Sequence, residues 1–256
     1  ASRRQHERVA LACYDCTYEN GIRTEITAAD RCALYRFHGA DGLLVDAASF
    51  LGMDTIPDKR EAQQYVDSRI ELRGDRDICG STTIRGGWNN GGPYTVYFWL
   101  QSDTPLTPEL PVGTEPALPA DTAVRNRSFY ALVRWTAAVA NVKVGISYVS
   151  TDQARCNIVS RSFDEQLAET RRTWAGMLAR IPYQGTRKEM RMFYTALYHT
   201  LLMPTDKTNE NPRWEGGPYF DDYYALWDTY RTSFPLLMDY YPERAAPMVQ
   251  ALLEIY

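Results

Sequence analysis

The fold class predicted from the sequence is multidomain β plus α, an antiparallel β-sandwich followed by helices, and three observations carry it. Val66-Asp67-Ser68-Arg69-Ile70-Glu71-Leu72 and Val142-Lys143-Val144-Gly145-Ile146-Ser147-Tyr148 alternate with the period of a half-buried strand, each placing one apolar face inward. Short apolar segments between Val9 and Val149 are separated by turn signals at Asn20-Gly21, Gly39 to Gly42, Arg73-Gly74-Asp75 and Gly86 to Pro93. After Arg155 the apolar spacing becomes helical, and two capping boxes appear.

In chain order, Arg31 to Phe37 and Leu43 to Ala47 are the first strand candidates, followed by Val66 to Leu72. Tyr94 to Leu100 is a continuous aromatic and β-branched run, suited to a strand buried on both faces. Thr104 to Ala120 carries Pro105, Pro108, Pro111, Pro116 and Pro119, which keeps it out of helices and central strands. It reads as a surface loop inside the sandwich, because strand signals resume at Tyr130 to Trp135 and again at Val142. Ser162-Phe163-Asp164-Glu165 then caps a helix with Phe163, Leu167, Trp174 and Leu178 on one side, ending near Ile181-Pro182. Thr186-Arg187-Lys188-Glu189 caps a second, with Met190, Phe193, Tyr194, Leu197 and Leu201 as its stripe and Pro204 as its stop. Thr205 to Gly217 reads as an irregular loop. A helical stretch around Leu226 to Thr232 follows, bent or broken at Pro235, and Pro242 opens a last helix on which Val249, Leu252, Leu253 and Tyr256 share a face. That apolar stripe has no terminating Gly or Pro behind it, so these helices are expected to be the front part of a larger helical domain.

The chain has 256 residues, 45% of them apolar, enough for a sizeable core. A net charge of -4, with Lys and Arg scattered, excludes the basic footprint of a nucleic-acid binder. No apolar run approaches bilayer length. Five cysteines occur, and Cys13-Tyr14-Asp15-Cys16 has the spacing of a metal or redox pair but no second pair to complete a zinc site. Structural disulfides or buried free thiols are the expected uses. Asn126-Arg127-Ser128 is a glycosylation acceptor triplet and, with the cysteines, points towards a secreted or secretory-pathway protein.

The chemistry concentrates between Tyr219 and Pro235. Asp221, Asp222 and Asp228, the guanidinium of Arg231 and a dense set of aromatics including Trp227 suit a sugar, whose C–H faces stack on rings and whose hydroxyls bond charged groups. The same residues also fit a helix core with an intrahelical pair between Asp228 and Arg231. Other chemistries find no support. Gly86-Gly87 and Gly91-Gly92 lack nucleotide-loop context, there is no Gly-x-Ser-x-Gly elbow, and three histidines are too few for a histidine-built metal site or triad. His199, near a helix stripe, reads as structural. Carboxylates remain, with Glu210 and Glu215 beside the three aspartates. Adjacent Asp221 and Asp222 cannot flank one bond from opposite sides, so spacing identifies no catalytic pair.

Phe193-Tyr194-Thr195-Ala196-Leu197-Tyr198-His199-Thr200-Leu201-Leu202-Met203-Pro204, followed by Leu226-Trp227-Asp228-Thr229-Tyr230-Arg231-Thr232 and Pro235-Leu236-Leu237, resembles glycoside hydrolase family ninety-two, the calcium-dependent, inverting, exo-acting α-mannosidases. More loosely, Lys143-Val144-Gly145-Ile146-Ser147 and the Trp174 helix match the same family. The resemblance implies a β-sandwich over residues 1–155, a helical linker over 156–185 and, over 186–256, the first helices of an (α/α)6 catalytic barrel. It implies an internal portion of a longer enzyme that trims terminal α-linked mannose, such as α-1,2-mannose, from glycans or glycoproteins. Asp228 would then hold sugar hydroxyls, with Trp227 beside it and Arg231 bracing the carboxylate. The catalytic acid, a glutamate, the base, an aspartate, and most ligands of the calcium cofactor are expected downstream, leaving no catalytic or metal residue in this segment. Two other classes compete. A non-catalytic carbohydrate-binding protein would account for the aromatic strands and the loop around Trp88, but not for the helical motifs. A phosphorolytic (α/α)6 glycosidase would need a phosphate cradle that the sequence does not show.

Overall fold

The computed structural model describes residues 3–49, 63–87, 92–109 and 130–256. Trp88, the centre of the proline-rich loop and Asn126-Arg127-Ser128 lie outside them. The chain divides into two compact units, Ala1–Thr170 and Arg171–Tyr256.

The first unit is an antiparallel β-sandwich. Eight strands form its main sheet in the order β1 (Arg4–Ala10), β2 (Cys13–Tyr18), β3 (Arg23–Ala28), β4 (Cys32–His38), β11 (Val139–Ser147), β8 (Tyr94–Ser102), β7 (Asp77–Gly86) and β6 (Gln63–Arg73). A second sheet joins β5 (Gly42–Asp46), β10 (Tyr130–Arg134) and β9 (Thr107–Pro108) in that order. One core lies between them: Ile70, Ile78, Leu100, Ala140 and Val142 from the large sheet meet Ala131, Val133 and Trp135 from the small one. Each Ile, Leu and Val among them contributes about 1.5–3 kcal/mol by leaving water. The Trp135 indole donates to Ala40 O at 2.8 Å, so its one polar atom is satisfied inside the core.

The large sheet is covered on its other face too. Helices α1 (Thr151–Cys156) and α2 (Phe163–Leu178) begin there, where Cys32 and Leu34 pack with Phe163, and Cys79 and Trp99 pack with Ala154. This explains the unbroken apolar run of β8, whose Phe98 and Leu100 face one core while Tyr97 and Trp99 face the other. It also corrects the simple alternation expected of β11. Ala140 and Val142 point into the sandwich, but Gly145 and Ser147 are buried on the helical side and Ile146 is exposed. At Gly145 a Cβ would stand 2.1 Å from Ala154 O, so only glycine lets α1 approach. In β6 the alternation is switched by a β-bulge between Tyr65 and Asp67, which leaves Val66 outside at 45% exposure and turns Ser68 and Ile70 inward.

The strands expected at Arg31 to Phe37, Leu43 to Ala47, Val66 to Leu72, Tyr94 to Leu100, Tyr130 to Trp135 and Val142 to Tyr148 are all present within a few residues. Strands β1, β2, β3 and β7 were not individually legible, and neither was α1, although Ser150 caps it by accepting from Gln153 N at 3.0 Å. All five cysteines are free thiols, with Cys16, Cys32 and Cys79 buried, so disulfides are not their use.

The second unit starts inside α2. Its core gathers Trp174, Met177 and Leu178 with Leu197 and Leu201 of α3 (Arg187–Thr200), Leu237 of α5 (Ser233–Tyr240), and Ala245, Met248 and Ala251 of α6 (Pro242–Ile255). Both capping boxes form: Glu165 N meets Ser162 Oγ and Glu189 N meets Thr186 Oγ1, each at 3.3 Å, with the reciprocal carboxylate bonds at 2.8 Å. Tyr241 is fully buried and donates to Met177 O at 2.9 Å.

Three expectations in this unit are corrected. The supposed loop after Pro204 contains a hairpin of β12 (Thr205–Asp206) and β13 (Phe220–Asp221), too short for residue alternation to reveal. Pro235 does not break a helix but sits in the first turn of α5, where its missing N–H is harmless; the break falls before it, after α4 (Leu226–Thr229). His199 is exposed at the end of α3 rather than settled in the core. On α6 the stripe of Val249, Leu253 and Tyr256 is exposed, while Ala245, Met248 and Ala251 supply the buried face. Among the described residues no helix is long and apolar enough to cross a membrane.

Candidate functional site

The Tyr219–Pro235 segment separates into two sets of side chains. Phe220, Tyr223 and Phe234 belong to the core of the second unit, so for them the core reading holds. Tyr224, Trp227 and Tyr230 are 53%, 81% and 54% exposed. Tyr224 and Trp227 have no ring or cation contact among the described residues, which is the arrangement a stacking ligand uses.

The hairpin fixes where this segment begins. Thr205 pairs with Asp221 and Asp206 with Phe220, and Lys207 N donates to Tyr219 O at 2.8 Å. The hairpin turn ends in Gly216 and Gly217, with φ of 83° and 76°. That glycine pair is the one sequence signal from which the hairpin was recoverable. The Lys207 ammonium lies 3.1 Å from Asp221 Oδ2 and 3.7 Å from Asp222 Oδ2 and is largely covered. Asp222 and Tyr224 then adopt left-handed backbone, at φ of 60° and 59°, on either side of Tyr223. Left-handed geometry costs a non-glycine residue about 1–2 kcal/mol, and two such residues in three positions persist only where their surroundings hold them. Part of that hold is Tyr223, whose hydroxyl donates to Met248 O at 2.9 Å and whose pKa burial, with the nearby Asp221 charge, pushes up to about 12.

Beyond this turn, α4 presents Trp227 and Asp228, both exposed. Among the described residues Asp228 has no ion pair or side-chain hydrogen bond, so its oxygens are open to a ligand. Arg231 is placed differently from the sequence expectation. Its Nε donates to Tyr230 Oη at 2.5 Å and its guanidinium stacks 5.1 Å from the Tyr230 ring centroid, so it braces an aromatic ring rather than the Asp228 carboxylate. Trp227, Asp228 and Arg231 thus share one short exposed stretch without contacting one another through polar groups. Of the other carboxylates, Asp221 and Asp222 are engaged by Lys207 and Glu210 is buried at 3% exposure. Lys207 itself was missed by sequence reading, because its role depends on a hairpin that was not legible.

Comparison with known proteins places this architecture in the class of the carbohydrate-active hydrolases. Residues 1–147 match the Glycosyl hydrolase family 92 N-terminal domain and residues 151–256 match the Glycosyl hydrolase family 92 catalytic domain. The chain belongs to glycosyl hydrolase family 92. Among solved structures it is similar to a family GH92 alpha-mannosidase from Bacteroides thetaiotaomicron, at a TM-score of 0.71 and 24% identity over 92% of this chain and 34% of that one. It is also similar to a family GH92 inverting mannosidase from Bacteroides thetaiotaomicron VPI-5482, at a TM-score of 0.67 and 21% identity over 93% of this chain and 33% of that one. At these identities the likeness speaks to the fold. A protein of Arthroderma benhamiae called an uncharacterized secreted glycosidase is 31% identical over 101 residues, 36% of this chain and 13% of its own length. The chain therefore spans about a third of the solved structures it matches.

Proposed function

We propose that this chain is part of an exo-acting glycosidase that releases terminal α-linked mannose, such as α-1,2-mannose, from glycans or glycoproteins by direct water attack, with inversion at the anomeric carbon. The observation that carries the reading is the match of both parts of the chain, sandwich and helices, to the two domains of one glycosidase family. The solved relatives described as mannosidases support the choice of sugar, and the one described as inverting supports the stereochemistry.

In this proposal Asp228 accepts hydrogen bonds from sugar hydroxyls, and Trp227 offers its exposed ring to the C–H face of the pyranose. Arg231 fixes Tyr230 and so shapes the rim. These contacts favour catalysis to the extent that they tighten as the ring flattens towards an oxocarbenium-like transition state. The general acid and base are placed outside residues 1–256, as is the remainder of an (α/α)6 barrel to which the helices from Thr186 onward belong. Residues 156–185 serve as the linker between sandwich and barrel.

Calcium is part of the same reading. Among the described residues no three His, Cys, Asp or Glu side chains come together as ligands for an ion. The residues present therefore do not fit a calcium site by themselves, and no step is routed through the metal; its ligands are placed in the rest of the domain. A secreted location is proposed from the description of the Arthroderma relative alone; the cysteines, free thiols in this structure, lend it no support.

The test is to incubate the full-length protein with α-1,2-mannobiose and follow free mannose, with and without a calcium chelator. Release of mannose that stops on chelation and returns with calcium is the expected result. Sugar binding without turnover would replace the proposal with a carbohydrate-binding role, and turnover only with added phosphate would replace it with phosphorolysis.

A further inference from the structure

A cavity of about 450 Å³ opens in the second unit where the β12–β13 hairpin meets the first turns of α6, and Asp206, Thr208, Phe220, Glu243, Arg244 and Pro247 are among the residues lining it. Of the motif segment only Phe220 takes part, so Trp227 and Asp228 do not line it. Arg244 is the unusual member. Its Nη2 donates to Pro204 O at 2.8 Å, and its Nε is buried without a partner. Among the described residues no carboxylate comes within ion-pair distance of it, and its Nη1 bonds no protein group. Burial pushes its pKa down, with the charge of Asp206 acting in the opposite sense.

A covered guanidinium N–H ordinarily finds an acceptor, and the Nε of this partly buried side chain has none among the described residues. Here it lines a cavity whose other charged walls are Asp206, which accepts from Thr208 N at 2.9 Å, and Glu243, which pairs with Arg180. The charges around the space balance, which disfavours an anion and favours a neutral ligand able to accept from Nη1 and donate to a carboxylate. Phe220 and Pro247 add apolar wall for C–H groups. Donor, acceptor, hydroxyl and apolar surface around a space of this size match one pyranose ring with neighbouring hydroxyls.

We propose that this cavity is a second sugar-binding site, taking a neutral pyranose between Arg244 and Asp206. Its existence does not depend on the role of Asp228. Only the choice of a mannoside as probe rests on the function proposed above.

The experiment uses the full-length protein carrying Asp228→Ala, so that the motif site is silenced, and titrates it with methyl α-D-mannopyranoside by NMR. Saturable binding is expected to persist, and to weaken roughly tenfold or more when Arg244→Met is added, the size of one lost charge-assisted hydrogen bond. Asp206→Asn is the second variant, because its remaining side-chain oxygen can still accept from Thr208 N; it should weaken binding in the same direction, and it decides the matter where thermal unfolding shows Arg244→Met to be misfolded. Absence of saturable binding in the Asp228→Ala protein, or binding that both added variants leave unchanged, would overturn the proposal. So would a parallel titration in which inorganic phosphate, but not the mannoside, binds at Arg244. Undiminished mannose release by the Asp228→Ala protein would instead count against the role of Asp228, while the titrations with Arg244→Met and Asp206→Asn still decide for or against the cavity.

Discussion

The Lys207 ammonium is held between the carboxylates of Asp221 and Asp222, 3.1 Å from the first and 3.7 Å from the second, at the point where the chain leaves its short hairpin for the exposed Trp227-Asp228 turn. One cation thus bridges two adjacent acids, leaving one net negative charge, and helps hold the left-handed residues Asp222 and Tyr224 that aim the motif. Because both carboxylates are about half exposed, solvent screens the pair, and Lys207→Met is expected to cost only about 1 kcal/mol of stability. Its larger effect should be functional. The variant should raise KM for mannobiose more than it lowers kcat, and Lys207→Arg should recover most of the loss; denaturant midpoints beside steady-state kinetics check both. Unchanged kinetics would remove Lys207 from the account of the site.

Gly145 marks the closest approach of α1 to the large sheet. A Cβ there would stand 2.1 Å from the Ala154 carbonyl oxygen and 3.0 Å from Ile158 Cγ1, and backbone cannot swing aside as a flexible side chain can. Gly145→Ala is therefore expected to destabilise the first unit by about 3 kcal/mol, at the upper end of overpacking effects. Thermal unfolding of the variant is the check, and a melting temperature within a degree or so of the parent would contradict the packing described.

The sandwich also carries a pH dependence of defined sign. The hydrogen-bonded Arg23 guanidinium holds Asp15 below the ordinary carboxylate range, against the opposing effect of burial. A carboxyl depressed in the folded state contributes stability that is fully present above its unfolded value of about 3.9 and is lost as pH falls through the folded one. Unfolding midpoints should therefore decline from roughly pH 5 downward, and Asp15→Asn should flatten part of that decline while leaving the neutral-pH behaviour of the rest of the sheet intact. A decline just as steep in Asp15→Asn would assign the acid sensitivity to other groups.

Much of this fold is written locally. Capping boxes at Ser162 and Thr186 depend on four consecutive residues, and both form as the sequence predicts. Strands with long apolar or alternating runs, such as Tyr94 to Leu100, are recognisable for the same reason. What escaped detection is set by tertiary context. The bulge at Val66 reverses which residues of β6 face inward, and the helix docked at Gly145 buries a second face of β11, so alternation alone misassigned Val66 and Ile146. The hairpin around Lys207 has strands of two residues, shorter than any period can register. At the candidate site, the Trp227-Asp228 turn was legible from residue types, but the partner of Arg231 was not. Helical spacing pointed to Asp228, and the break in the helix after Thr229 gave the guanidinium to Tyr230 instead.

The role proposed for Asp228 is to hold a terminal mannose, and it is tested by comparing mannose release from α-1,2-mannobiose by the full-length protein and its Asp228→Ala variant. Asp228 is exposed and its side chain bonds no other group among the described residues, so the variant should unfold at the same temperature as its parent. With Asp228 in that role, kcat/KM is expected to fall by roughly a hundredfold or more, as for the loss of charge-assisted contacts that strengthen in the transition state. A folded Asp228→Ala protein that releases mannose at the parental rate would contradict it.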